Sequence, residues 1–201
     1  MLKSLNKLEI DKSKSWLIIG KGPSFTRIWD TKVSNYNLFG LNEVVTKINC
    51  KLGHIIDLDV AIKIGTTGLL TAENYIVPYH PHVNFRPEKT ITSYYDKCIL
   101  LKSLAIKDRL YTYNLSTYKG NILHANTPYI KTKYFSVEAA FRILANFGIR
   151  VIHTLGIDGG TKYASEFDDL KPLTNGRKSF DDQFIELRSI CKQHSMSWIC
   201  L

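Results

Sequence analysis

The sequence is short of acid. It carries 18 Asp and Glu against 27 Lys and Arg, a formal net charge of +9 over 201 residues. Such an excess favours an anionic partner: a nucleotide, a nucleic acid or an anionic membrane surface. Solubility alone is the plainer account of the same charge. Cysteine is also sparse. Cys50, Cys98, Cys191 and Cys200 form no C-x-x-C pair, which argues against a zinc site and for reduced core thiols in a cytoplasmic protein. No apolar run approaches a membrane span, and no apolar leader core follows Met1. The expectation is a cytoplasmic protein, with peripheral contact at the inner membrane face and oligomerisation both left open.

Several catalytic fingerprints are missing as well. There is no G-x-S-x-G elbow, no H-E-x-x-H and no kinase set. Trp16-Leu-Ile-Ile-Gly-Lys-Gly-Pro-Ser-Phe25 comes near two nucleotide loops and matches neither. Phe25 stands where a dinucleotide loop has its third glycine, and Lys21 is misplaced for a Walker A loop.

What is present is a run of strand signals, each ending in chemistry. Trp16 to Ile19 is a short apolar run bounded by Gly20, which reads as a buried parallel strand. Gly20, Lys21, Gly22, Pro23 and Ser24 then form a tight strand-to-helix turn. Backbone N–H groups and a helix start would lie side by side there, which suits a phosphate. The glycines would let the backbone approach a ligand, and Pro23 fits a first helical turn. An ordinary βα turn is the bland alternative. Further strands are expected over 37–41, 54–59, 74–77, 98–101, 110–115, 149–155 and 196–201. Helices are expected over 25–29, from Asn42 through Ile48, from Ser136 to a stop at Gly148, and from Ser179 through Cys191. Gly65 and Gly68 disfavour a long helix over 61–70.

Strands alternating with helices predict an α/β fold. We expect one Rossmann-like domain over 1–201, with a mostly parallel sheet flanked by helices and a small lid or insertion at about 84–133. In such sheets ligands sit outside the carboxyl ends of the strands. Gly20–Ser24, Asn42, Asp57 and Asp59, the 78–82 loop and Gly156–Gly160 all fall there. Asp57-Leu-Asp59 has three open readings: a pair of ligands for Mg or Mn, a contact to a ribose or sugar hydroxyl, or structure. His80 and His82 flank Pro81 and could serve as acid or base near neutral pH, or simply be solvated. Asp168 could activate an acceptor hydroxyl or belong to a solvated loop. Arg177 and Lys178 could clamp a phosphate or form a basic surface.

The motifs in their order resemble a family. Ile18-Ile-Gly-Lys-Gly-Pro-Ser-Phe25, Gly40-Leu-Asn42, Phe135-Ser-Val-Glu-Ala-Ala140, Leu155-Gly-Ile-Asp158 and Thr161-Lys-Tyr163 look like the bacterial CMP-sialic-acid-dependent sialyltransferases, glycosyltransferase family 42. They also resemble motility-accessory-factor-like glycosyltransferases. The resemblance implies a CMP-linked sugar donor and a hydroxyl acceptor such as a glycan. It implies that Gly20, Gly22 and Ser24 line the phosphates, that Asn42 contacts the nucleotide, and that Ser136 holds nucleotide or phosphate at a helix start. It further implies that Asp158, after Gly156, shapes the pocket floor and that Tyr163 donates to the leaving phosphate. Two departures stand out. Lys21 replaces the family's asparagine, and Asn175-Gly-Arg-Lys-Ser179 lacks the family's histidine. The rival readings are a phage-type transferase acting on nucleic acid bases, for which the positive charge would help, and a catalytically silent nucleotide-binding module.

Overall fold

The structure, a computed structural model, describes residues 2–67, 71–81, 89–118, 120, 122–173 and 176–201. Its strands are β1 (Lys3–Ser4), β2 (Ser15–Ile19), β3 (Tyr36–Leu41), β4 (Cys50–His54), β5 (Ala72–Pro78), β6 (Leu110–Leu115), β7 (Tyr129–Ile130), β8 (Val151–Leu155) and β9 (Ser197–Cys200). Its helices are α1 (Leu58–Thr67), α2 (Ile99–Ile106), α3 (Ser136–Asn146) and α4 (Asp182–His194). Every strand pairing is parallel, in the order β1-β6-β5-β4-β3-β2-β8-β9, with β7 also beside β6. This is the expected α/β fold with a mostly parallel sheet.

Trp16 to Ile19 of β2 form an unbroken apolar run because both faces of that strand are covered. Along β2, Trp16 and Ile18 pack with α3 and α4, while Leu17 and Ile19 pack on the opposite face beneath Phe25 and Ile28. Further along that second face, α1 and α2 cover Tyr75 and Val77 of β5. The alternation is the two-residue period of a strand, and it makes the domain three-layered.

The chain steps from β2 through β3, β4 and β5 to β6 in one direction. It then returns to place β8 and β9 on the other side of β2. The reversal therefore lies between β2 and β8, and that is where a parallel sheet opens a crevice.

Four expectations need correction. The predicted strand over 54–59 stops at His54, and Leu58 already begins α1. The Asp57 carbonyl accepts the Ala61 N–H at 3.2 Å, the first turn of that helix. Gly65 does not break α1. A Cβ there would stand 3.0 Å from Leu100 Cβ, so the glycine lets α1 and α2 pack closely. The predicted strand over 98–101 is instead the start of α2, which buries Leu100, Leu101, Leu104 and Ala105 at helical spacing. Lastly, Ser136 is the first residue of α3 and not its cap. The Glu138 carboxylate takes that role, accepting N–H groups from Lys133, Tyr134 and Phe135 at 2.6, 3.1 and 3.1 Å. Burial raises the Glu138 pKa, while those three donors pull it the other way. The stretch 84–133, expected as a lid or insertion, supplies α2, β6 and β7 to the layers in its described part. Among the described residues no helix is long and apolar enough to cross a membrane.

Candidate active site

The turn after β2 and the turn after β8 clasp each other. Gly20 N–H donates to Leu155 O at 2.9 Å and Gly22 N–H to Gly156 O at 2.8 Å. Ser24 N–H donates to Asp158 Oδ2, and Gly156 N–H donates to Ser24 Oγ, both at 2.8 Å. There is no space for side chains between them. A Cβ on Gly20 would stand 2.4 Å from Gly156 O, and one on Gly22 would stand 2.4 Å from Asp158 Oδ2. The sequence suggested that these glycines admit a ligand; what they admit first is the neighbouring turn. Pro23 opens the 3-10 helix Pro23–Trp29, as its fixed φ allows.

In front of this clasp lies a cleft of about 450 Å³ at the carboxyl ends of β2, β3, β4 and β8. Gly20, Lys21, Gly22, Asn42, Asp57, Asp59, Ser136, Gly156, Asp158 and Tyr163 all line it. Residues spread over 140 positions thus meet because strand order and register bring the ends together. Asn42 sits at the end of β3 with φ of 51°, a left-handed conformation that costs a residue with a Cβ about 1 kcal/mol or more. The conformation aims its amide across the cleft. Nδ2 donates to Ser136 Oγ at 3.0 Å, and Oδ1 accepts Ile56 N–H at 3.4 Å. Ser136 sits at the positive end of the α3 dipole.

Lys21 is not a free cation at the mouth. Its Nζ donates to Glu43 Oε2 at 2.6 Å, and the two side chains are only 13% and 12% exposed. The same ammonium stands 4.5 Å from the centroid of the Tyr163 ring. Ala164 N–H donates to Lys21 O at 2.8 Å, so the segment carrying Tyr163 is tied to the β2 turn. Tyr163 also stacks on Phe180 at 5.5 Å, and Phe180 meets Phe135 at 5.8 Å. With Tyr134 these rings make one aromatic wall of the cleft. The charged lining is acidic on balance: Glu43, Asp57, Asp59 and Asp158 against Lys21 and Lys171. The chain's positive excess lies elsewhere.

Other expected site residues are not in the lining. Ser24 and Pro23 lie behind the cleft, in the clasp. His80 is fully buried, with Nδ1 3.0 Å from Lys89 O and Nε2 2.6 Å from Ile122 O, and it stacks on Tyr118 at 3.8 Å. It braces loops and does not face the cleft. His82 lies outside the described residues. Asp168 is exposed at the end of the turn Ser165–Phe167. Arg177 lies over the Tyr134 ring at 3.2 Å and pairs with Asp182 at 3.3 Å, while Lys178 is exposed. The Asp57–Asp59 pair is split between a loop and the first turn of α1. It therefore lacks the same-face array that an extended strand would give a metal. Among the described residues no group of three His, Cys, Asp or Glu could hold a metal ion.

Sequence reasoning passed over Glu43, Tyr134, Phe180 and Gln183, whose Nε2 donates to Asp158 O at 2.8 Å. Glu43 had a signal, since an acid directly after a strand-end asparagine belongs to the same turn. Gln183 had none.

No protein-family model matches the sequence, and no curated protein matches it. Solved structures do. The sialyltransferase CstII from Campylobacter jejuni, in complex with the substrate analogue CMP-3FNeuAc, is 15% identical and has a TM-score of 0.51. A point variant of sialyltransferase CST-II in complex with CMP is 14% identical with a TM-score of 0.55. The same sialyltransferase with a trisaccharide acceptor and CMP is 13% identical with a TM-score of 0.50. Each match covers 94% of this chain and 81% of the other. At such low identity the likeness is one of fold, and the fold of this chain is that of the CstII sialyltransferases.

Proposed function

We propose that this chain is a glycosyltransferase that moves a sugar from a CMP-linked donor to the hydroxyl of an acceptor glycan. One observation carries the reading. Residues from all five sequence motifs that resemble the sialyltransferases converge on a single cleft, at the point where the sheet order reverses. Ser136, at the α3 N-terminus, receives the donor phosphate, and Asn42 holds the nucleotide beside it. Tyr163 donates its phenol proton to the departing phosphate oxygen, with the Lys21 ammonium close by to meet developing charge. The aromatic wall offers a stacking surface for sugar faces. The acidic balance of the lining favours a glycan over a nucleic acid as acceptor, because a polyanion would be repelled.

In the transfer, the acceptor oxygen bonds to the anomeric carbon and the bond from that carbon to the phosphate oxygen breaks. CMP leaves with the electron pair, and a base takes the acceptor proton.

Thermal denaturation tests the nucleotide claim. CMP at about 100 times its Kd adds about 2.7 kcal/mol, or roughly 5–10 °C in Tm for a chain of this size. UDP, GDP and NAD give no comparable shift. Tyr163→Phe keeps the CMP shift and slows CMP release from a CMP-sugar at least tenfold, on the order of one lost transition-state bond. No shift with millimolar CMP overturns the proposal.

A further inference from the structure

The cleft lining is acidic on balance, yet the proposed donor is an anion. Among the described residues two cations line the cleft, Lys21 and Lys171, and Lys171 is exposed. The N–H groups of Gly20, Gly22 and Ser24 are spent on the clasp. What the β2 turn brings to an anion is therefore the Lys21 ammonium, 4.5 Å from the centroid of the Tyr163 ring. An ammonium carries three N–H donors and no acceptor. One of them goes to Glu43 Oε2 at 2.6 Å, and both side chains are nearly buried.

The fold puts Glu43 there. It follows Asn42 in the first turn of the 3-10 helix Asn42–Thr46. The register sets Ile19 opposite Gly40, so the turns that follow β2 and β3 meet. The carboxylate cancels most of the Lys21 charge before any ligand arrives. An incoming phosphate must share the ammonium with Glu43 and feels its repulsion. One phosphate can be met by the remaining ammonium donors and the positive end of α3. A second phosphate adds about one more negative charge to the same space. At roughly 7 Å and an effective dielectric of about 20, that charge beside a carboxylate costs roughly fiftyfold in affinity. Salt and partial exposure reduce the penalty to about tenfold.

We propose that Glu43, acting through Lys21, sets the donor class. It restricts the cleft to nucleoside monophosphates and their sugar esters and turns nucleoside diphosphates away. The assignment rests on the nucleotide-sugar reading above, and it makes Glu43 a specificity residue, not a catalytic one.

Titration calorimetry of the full chain with CMP and with CDP tests this, in EDTA so that no divalent ion bridges the two phosphates. The ligands share a nucleoside and differ by one phosphate. Wild type is expected to bind CMP about tenfold or more tightly than CDP. Glu43→Gln removes the charge and keeps the shape. It should tighten CDP more than CMP, so that the ratio of the two affinities falls about tenfold. A merely structural role for Glu43 would change both affinities by the same factor and leave the ratio where it was. In the double variant Lys21→Met with Glu43→Leu, the gain in CDP affinity should vanish with the ammonium that produces it. The assignment is overturned if Glu43→Gln changes the ratio by less than about threefold, the range of a solvent-screened pair. A CDP gain that survives the loss of Lys21 overturns it too. Where Glu43→Gln does not fold, wild type carries the test: discrimination by charge shrinks severalfold in about 1 M salt, and a preference for CMP that ignores salt overturns the assignment. Wild type that binds CDP as tightly as CMP overturns the assignment and leaves the nucleotide reading intact. Wild type that binds neither overturns the nucleotide reading itself, and the assignment with it.

Discussion

The two sides of the cleft are built on different principles. On the β2–β8 side, Gly20, Gly22, Ser24, Leu155, Gly156 and Asp158 are joined by hydrogen bonds at 2.8–2.9 Å. The N–H groups of Gly20, Gly22, Ser24 and Gly156 are thereby already in use. On the β3–β4–α3 side, Asn42 is held in a left-handed conformation, Ser136 opens a helix, and Asp57 lies just before α1. Those groups line the cleft. A motif can therefore mark two things at once: residues that make the crevice, and residues that face into it.

The sharpest way to break this comparison is to force the clasp open. Gly20→Ala drives a methyl group against the Gly156 carbonyl, a backbone atom that cannot rotate away. A loss of about 3 kcal/mol or more is expected in urea unfolding, at the upper end of overpacking costs. A loss under about 1 kcal/mol, within the range of well-tolerated swaps, would mean that the two turns slide freely.

Next in size is the Lys21–Glu43 pair, where the two sides touch. Glu43→Gln strands a nearly buried ammonium and should cost about 2–3 kcal/mol. The double change Lys21→Met with Glu43→Leu removes both charges and should recover most of that. If the double variant is as unstable as the single one, the pair is not coupled in the way the geometry implies. The smallest stability effect is expected on the ligand-facing side. Asn42→Gly relieves the left-handed strain, so stability should stay within about 1 kcal/mol. CMP affinity should nonetheless fall about tenfold, one hydrogen bond's worth, as read by titration calorimetry. Unchanged affinity would move Asn42 from the facing set to the structural one.

Much of this architecture was legible because parallel strands buried on both faces announce themselves. Trp16 to Ile19 before Gly20 is such a signal, and it located the centre of the sheet. The end of β4 was less legible. His54 to Asp59 alternates well enough for a strand, and only the Asp57–Ala61 bond reveals that the helix has begun. Ile99 to Leu101 is apolar without a readable period, so strand and helix could not be told apart until Leu104 and Ala105 were seen buried beside it. Side-chain partnerships across strands were beyond reach. Lys21 meets Glu43 because Ile19 lies opposite Gly40 in the β2–β3 register. A sequence read along its length carries no such coordinate.

The strand order also has a consequence for how the molecule comes into being. β2 pairs with β3 near it in sequence, but its other neighbour is β8, where Trp16 lies opposite Ile152. As the chain leaves the ribosome, β2 must stand as an open, largely apolar edge until most of the protein has been made. Such an edge invites pairing with other chains. Its natural partner arrives together with Gly156 and Asp158, so the step that shuts the edge is the same step that assembles the cleft. Synthesis errors that stop the chain before β8 would then yield aggregates and not a partly assembled cleft.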